Sequence, residues 1–287
     1  MQWLQSLQFG RETKMAIAGK NGAWHSVLVL PETRRFSKPR TSGITMVIDK
    51  GLGLTETRDL LEMAADHIDF LKIAFGSSAL YPSYLMKEKI NLAKEYDVHV
   101  YPGGTLFEIA VYQGMTEEFF QRARELGFTY IEVSEGTIDL PRPQRGEYIR
   151  RALGHGFGVL SEIGKKDTTI KIKAEDAVEQ VYEDLTNGAE KVIIEGRDSG
   201  KGVGIYNERG EVNDELLDAI IAGVKSHQKL IIEAPQTTQH NHLLLKLGPN
   251  VNLGNVQPHD VLTLESTRVG LRGDTLRNCL KHAPKSF

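Results

Sequence analysis

A chain of 287 residues and 32.0 kDa is larger than one small core requires. It suits two modest domains or one α/β barrel, a fold that typically takes about 250 residues. With 40% apolar residues, 25% charged residues and a net charge of -3, it has the balance of an ordinary soluble protein. Such a charge supplies no field that would draw nucleic acid or an anionic membrane. The single cysteine, Cys279, excludes an intrachain disulfide and cannot build a thiolate metal cluster. The sequence opens without a basic segment followed by an apolar core, and its apolar runs are too short to cross a bilayer. A cytoplasmic protein is the expectation.

Residues 1–35 mix glycines and charges around one short strand-like run, 27–30, and read as an N-terminal arm ending near the breaks at Pro31 and Pro39. A regular alternation then occupies 36–287. β-branched runs at 44–49, 70–75, 98–101, 129–134, 159–163, 192–195, 230–233 and, more weakly, 251–256 predict strands. Amphipathic stretches at 55–65, 81–96, 116–126, 148–155, 174–186 and 214–226 predict helices between them. Thr55 and Thr116 are placed as N-caps, and Gly127 and Gly188 as helix stops. The basic tail after Gly273 carries no evident role. Strands separated by helical crossovers require a parallel sheet. Eight of them in this length favour a closed (β/α)8 TIM barrel over an open doubly wound sheet. The expectation is a single catalytic barrel domain, 36–287, with an N-terminal extension, 1–35.

Buried parallel strands should be apolar throughout. These are interrupted by single ionisable residues: Asp49, Lys72, His99, Glu132, Glu162, Glu195 and Glu233. Side chains alternate between faces along a strand. In Phe70-Leu71-Lys72-Ile73-Ala74-Phe75, Lys72 shares its face with small Ala74, while Leu71 and Ile73 turn to the helices. The simplest assignment directs all the charged residues into the barrel mouth, where enzymes of this fold keep their sites. One such residue at a strand end signifies little; a coincidence across successive strands signifies a site. Two like charges 4 Å apart repel by about 4 kcal/mol at an effective dielectric of about 20. Converging carboxylates therefore need protons or cations. Lys72 supplies one positive charge, and a divalent metal such as Mg²⁺ would supply more.

Loops after these strands carry glycines and the opposite charge: Lys50-Gly51-Leu52-Gly53, Pro102-Gly103-Gly104-Thr105, Gly164-Lys165-Lys166 and Gly196-Arg197-Asp198-Ser199-Gly200-Lys201-Gly202. Glycine lets backbone N–H groups approach an oxyanion closely. Neither a P-loop nor a dinucleotide-binding fingerprint is present in the sequence. Four such loops on one rim point to a small polyanionic substrate.

Val47-Ile48-Asp49-Lys50-Gly51-Leu52-Gly53, Leu71-Lys72-Ile73-Ala74-Phe75-Gly76, Tyr101-Pro102-Gly103-Gly104-Thr105, Ser161-Glu162-Ile163-Gly164-Lys165-Lys166, Ile231-Ile232-Glu233-Ala234-Pro235 and Asn252-Leu253-Gly254-Asn255-Val256 resemble the phosphosulfolactate synthase family. The resemblance runs from about Pro39 to Asp274. It implies a (β/α)8 barrel and a Mg²⁺-dependent addition of sulfite to phosphoenolpyruvate, giving (2R)-phospho-3-sulfolactate. In methanogens that lyase-class step opens coenzyme M biosynthesis; dephosphorylation to sulfolactate is another fate. The family also includes heat-stress-associated plant proteins. Chemical inference then distributes the roles. Glu132, Glu162 and Glu195 include the metal ligands. Lys72 is expected to be the acid that protonates the intermediate or a carboxylate clamp, with Lys165 its rival for the proton and with Asp49 and Glu233 completing the shell or orienting the lysines. Lys50, Gly103, Gly104, Arg197 and Lys201 hold the anionic groups.

Two other readings stay open. One is a barrel lyase or aldolase for a small phosphorylated acid, with Lys72 as a Schiff-base nucleophile. The other is a stress-related binding protein with a relict site. The barrel helices and the arm also leave room for a homo-oligomer.

Overall fold

The computed structural model describes residues 22–24 and 27–282, so most of the predicted arm, 1–35, lies outside the described residues. Among the described residues are eight strands and ten α-helices. They run β1 (Thr45–Asp49), α1 (Leu54–Ala64), β2 (Phe70–Ile73), α2 (Ser83–Glu95), β3 (His99–Pro102), α3 (Gly104–Tyr112), α4 (Thr116–Leu126) and β4 (Tyr130–Val133). The second half runs α5 (Arg142–Gly154), β5 (Gly158–Ile163), α6 (Ala174–Thr186), β6 (Lys191–Ile194), α7 (Asp214–Val224), β7 (Leu230–Glu233), α8 (Thr237–Leu247), β8 (Leu253–Val256), α9 (Val261–Arg268) and α10 (Gly273–His282).

Alternation along the strands creates two separate apolar layers. Val47, Leu71, Ile73, Val100, Ile131, Val133, Val159, Val192, Ile194, Leu230 and Ile232 face the helices in one large core. Their neighbours Ile44, Met46, Phe70, Tyr101, Leu160, Ile193 and Ile231 form a second cluster inside the ring. The strands pair in parallel in the order β3-β2-β1-β8-β7-β6-β5-β4. β3 and β4 then meet at the remaining seam, where the Thr129 N–H donates to the Val100 carbonyl at 3.1 Å. The architecture is a nearly closed (β/α)8 TIM barrel. Its inner apolar cluster is a floor, and the charged residues two positions further along stand on it.

Local chemistry explains where the elements differ from expectation. Thr55 and Thr116 sit inside their helices, and the caps are Gly53 and Met115. Glu56 turns back to accept the Gly53 N–H at 2.8 Å, which starts α1 one residue early. α3 follows Gly103 directly and is apolar on most sides, so amphipathic periodicity does not mark it. α8 is a polar run secured by a capping box between Gln236 and Gln239. Residues 27–30 form no strand: Val27 and Leu28 donate to the Trp24 carbonyl in an exposed turn. Contacts to the barrel begin at Glu32, whose N–H donates to the Val269 carbonyl at 3.1 Å. Arg35 is buried against Glu265 of α9 at 2.9 Å, and Arg40 pairs with Asp69 at 2.8 Å. No helix among the described residues is long and apolar enough to cross a membrane.

One buried ion pair joins this scaffold to the interior of the ring. Arg145 of α5 grips Asp184 of α6, with Nη2 2.7 Å from Oδ2, and both are almost fully buried. The same Nη2 donates to the backbone carbonyl of Glu162 at 2.8 Å. Removing the guanidinium leaves a buried, uncompensated carboxylate, a loss of about 3–5 kcal/mol. Arg145→Leu is therefore expected to lower the melting temperature by about 10 °C, as scanning calorimetry would read, and a change within about 2 °C would refute the assignment.

Candidate active site

The charged residues converge at the C-terminal ends of the strands. Lys72 leaves the inner face of β2 and meets three carboxylates from three other strands. Its Nζ lies 3.0 Å from Glu132 Oε2, 3.1 Å from Glu162 Oε2 and 2.9 Å from Glu233 Oε1. All four residues are buried. Burial opposes the charge on Lys72, but the fields of Glu132, Glu162 and Glu233 outweigh it and hold its pKa well above the ordinary lysine range. The carboxylates respond unequally. For Glu162, burial is overcome by Lys72 and then Lys166, which bring its pKa down to about 2. For Glu132, burial prevails over Lys72 and raises the pKa to about 7. Burial, with Glu162 and Glu233 adding repulsion, pushes Glu195 well above the usual carboxylate range. Burial likewise raises Glu233.

Backbone N–H groups from the glycine loops hold the carboxylates in place. Gly104 donates to Glu132 Oε1 at 2.6 Å, Gly196 to Glu233 Oε2 at 2.9 Å, and Arg197 to Glu195 Oε1 at 2.6 Å. Arg197 takes a left-handed backbone conformation, φ 58°, to make that turn. Lys166 enters from the β5 loop. Its Nζ donates to Thr105 Oγ1 at 3.0 Å and stands 3.8–3.9 Å from Glu108, Glu162 and Glu195. Glu108 of α3 is itself occupied, accepting from Ser134 Oγ, Gly136 N–H and Thr137 N–H. The result is a cavity of about 170 Å³, a size for a small molecule and not a polymer.

Lys72, Glu132, Glu162, Glu195, Glu233, Gly103, Gly104 and Arg197 all line that cavity. Asp49 does not. Ile48 takes the cavity side of β1, so Asp49 turns to the helices, where it pairs with buried Lys89. Its Oδ1 accepts from Gly51 and Leu52 N–H, both at 2.8 Å, and so shapes the loop that bears Lys50. Lys50 is an exposed rim residue 3.5 Å from Asp198, and Lys201 is exposed outside the cavity lining. Lys165 points away, donating to the carbonyls of Glu135 at 2.9 Å and Ile138 at 2.7 Å. His99 begins β3 at the opposite opening of the barrel, against Phe70 and Tyr130. Lys166, Thr105, Asp198 and Asn255 complete the lining without having been singled out by sequence reasoning. For Lys166 strand parity gives no signal, because β5 ends at Ile163 and Gly164 turns the chain with φ 111°.

The converging carboxylates that suit a cation are Glu162, Glu195 and Glu233, with one oxygen from each within 4.8 Å of the others. Glu132, expected among the ligands, stands in the same cavity with Oε1 on the Gly104 N–H and Oε2 3.0 Å from Lys72, while Glu233 accepts from Lys72 and from the Gly196 N–H. Glu162 Oε1 and Glu195 Oε2 are buried and accept no hydrogen bond among the described residues. Orphaned carboxylate oxygens form the donor set of a hard divalent cation, so the residues fit one.

Comparison with known proteins gives the family and the fold. The family model described as (2R)-phospho-3-sulfolactate synthase (ComA) matches residues 33–274. A phosphosulfolactate synthase of Methanothermobacter thermautotrophicus is 44% identical over 244 residues, which is 84% of this chain and 94% of that protein. One from Bacillus subtilis is 40% identical, over 84% of this chain and 95% of that protein. Among solved structures, a 3-hexulose-6-phosphate synthase superposes with a TM-score of 0.52 at 15% identity, covering 78% of this chain and 99% of that one. At that identity it supports the barrel alone.

Two measurements test the electrostatics and the close approach of the glycine loop. Glu132 has a folded-state pKa of about 7 against an ordinary 4.5, so between those values the folded protein keeps a proton that the unfolded chain has released. Its contribution to stability is complete below the lower value and is lost as pH rises through the upper one. Glu132→Gln should therefore lose less thermal stability than the parent between about pH 5 and about pH 8, and equal losses would count against the assignment. At Gly104, an added Cβ would collide with Ser134 Oγ and Glu132 Oε1. Gly104→Ala should destabilise by about 1–3 kcal/mol and reduce turnover by about tenfold or more. Unchanged activity would show that Glu132 tolerates displacement.

Proposed function

The chain belongs to the (2R)-phospho-3-sulfolactate synthase family, and from that premise we propose that its barrel mouth adds sulfite to phosphoenolpyruvate. The observation that carries this reading is the charge balance of the cavity. Five carboxylates (Glu132, Glu162, Asp198, Glu195 and Glu233) line it against three cationic side chains, Lys72, Lys166 and Arg197. Counted as ionised, the acids exceed the cations by two charges. Burial and repulsion push Glu132, Glu195 and Glu233 towards their protonated forms instead, and a divalent cation at the orphaned oxygens of Glu162 and Glu195 would take the place of those protons. Glu162, Glu195 and Glu233 would hold Mg²⁺, which supplies positive charge where the substrate carboxylate becomes more negative during reaction.

The chemistry divides among the chain's own groups. Sulfur of sulfite bonds to the methylene carbon of phosphoenolpyruvate, and the π electrons of the double bond move into the carboxylate. A proton must then reach the neighbouring carbon. Lys72 is clasped by three carboxylates at 2.9–3.1 Å and serves as their fixed counter-charge. Lys166 has looser carboxylate contacts and one hydroxyl partner, so its ammonium is free to turn to the substrate. We assign it the proton transfer in place of Lys165. Arg197 and Thr105, in the first turn of α3, would offer donors to the phosphate, with Lys50 at the rim. The Gly103 and Gly104 N–H groups are taken by the Ile73 carbonyl and Glu132, so these glycines contribute close approach and not donors. The Schiff-base alternative is disfavoured, because a lysine held this strongly in its charged form is a poor nucleophile.

Phosphoenolpyruvate consumption should require both sulfite and Mg²⁺ and should stop when the metal is chelated. Consumption without sulfite, or none under any condition, would overturn the proposal. Lys166→Met should reduce kcat by about 10²–10⁴-fold, whereas Lys165→Met should stay within about tenfold of the parent. Equal turnover in both variants would remove Lys166 from the proton-transfer role.

A further inference from the structure

We propose that Asn255 and Arg197 form a paired acceptor and donor that selects a singly protonated oxyanion within the cavity. The inference rests on the function proposed above and adds to it a rule about which form of an anionic group the site accepts. Asn255 is the penultimate residue of β8, lines the cavity and is 3% exposed. Its backbone is left-handed, φ 53°, a conformation that asparagine, aspartate and glycine adopt more readily than other residues. Arg197, across from it on the β6 loop, is left-handed as well. The Asn255 Nδ2 donates to the Arg197 carbonyl at 3.0 Å. That bond fixes the orientation of the amide, since the reversed amide would set oxygen against oxygen.

The other half of the amide is unused. Oδ1 of Asn255 is buried and has no hydrogen-bond partner among the described residues. An orphaned buried acceptor carries a desolvation penalty unless a ligand satisfies it. The neighbouring Arg197 guanidinium pairs with no carboxylate among the described residues; it reaches only the Lys166 carbonyl, at 3.4 Å. A cationic donor without a carboxylate partner and a neutral acceptor without a donor thus line the same cavity. A fully deprotonated oxyanion would satisfy Arg197 and be repelled by Oδ1. An oxyanion that keeps one hydrogen satisfies both. Hydrogen sulfite and a singly protonated phosphate monoester share that chemistry.

Hydrogenphosphate and sulfate isolate the rule, because in mildly alkaline buffer, where phosphate is almost wholly the dianion, they match in shape and charge while only the first carries a hydrogen. Calorimetric titration of the purified protein needs no turnover, so its result stands whether or not the proposed reaction is observed. The parent should bind hydrogenphosphate at least tenfold more tightly than sulfate. Asn255→Gly and Asn255→Asp both keep the left-handed backbone and both lose the bond to the Arg197 carbonyl; only the glycine variant also loses the acceptor. Asn255→Gly should therefore bring the preference close to one, while Asn255→Asp should bind both ions more weakly and keep it. In assays of the parent and Asn255→Gly, a selective rise in KM for sulfite would identify hydrogen sulfite as the group read. A selective rise in KM for phosphoenolpyruvate would identify its phosphate. A parent that binds the two ions equally, or an Asn255→Gly variant that keeps the preference, would overturn the inference.

Discussion

The ammonium of Lys72 is the charge around which the barrel mouth is organised. Four carboxylates near the top of a ring of apolar strands would not stay together ionised without it. Lys72 touches three of them, and its effect is graded by position: Glu162 is driven to about 2 while Glu132 stays at about 7. Lys72, with Lys166 adding to its pull on Glu162, therefore leaves the neighbouring acids in different protonation states. Acids with separated pKa values are what a site needs to hold a cation with one group and keep a proton on another.

The fold serves this arrangement by keeping two apolar layers apart. Helix-facing residues such as Val47 and Leu71 stabilise the barrel from outside, and Met46, Tyr101, Leu160 and Ile193 fill its interior below the charges. Water is thereby excluded beneath Lys72, which strengthens each of its ion pairs. Arg145 links the two functions, since the guanidinium that neutralises Asp184 between helices also holds the carbonyl of Glu162.

Much of this was legible in the sequence because strands reveal themselves by composition and by parity. Glu132, Glu162, Glu195, Glu233 and Lys72 were found as charges in apolar runs, and the structure brings them to one cavity. Parity also explains where that reading failed. Asp49 is next to Ile48, so one of the two had to face the helices, and the isoleucine took the inside. Lys165 and Lys166 lie past the end of β5, beyond the turn at Gly164, where parity no longer applies and the loop alone sends Lys166 inward. Asn255 was hidden for another reason: its value lies in an unpaired oxygen and a left-handed backbone, and neither is written in residue type. The helix Gly104–Tyr112 escaped because two glycines masked its start and its apolar residues follow no single face.

Pairing between β1 and β8 has a further consequence. The first strand has its last neighbour some two hundred residues away, with Val47 beside Val256 and the Ile44 carbonyl accepting from the Leu253 N–H. Arg35 repeats the link by clasping Glu265. A ring joined in this way cannot be completed on a ribosome until the final strand has emerged, and long-range contacts of this kind slow folding. Until then Lys72 and its glutamates have no closed wall around them. The dry, charged mouth is thus among the last features a newly made chain acquires, and synthesis is nearly finished before the chain can bind its substrates.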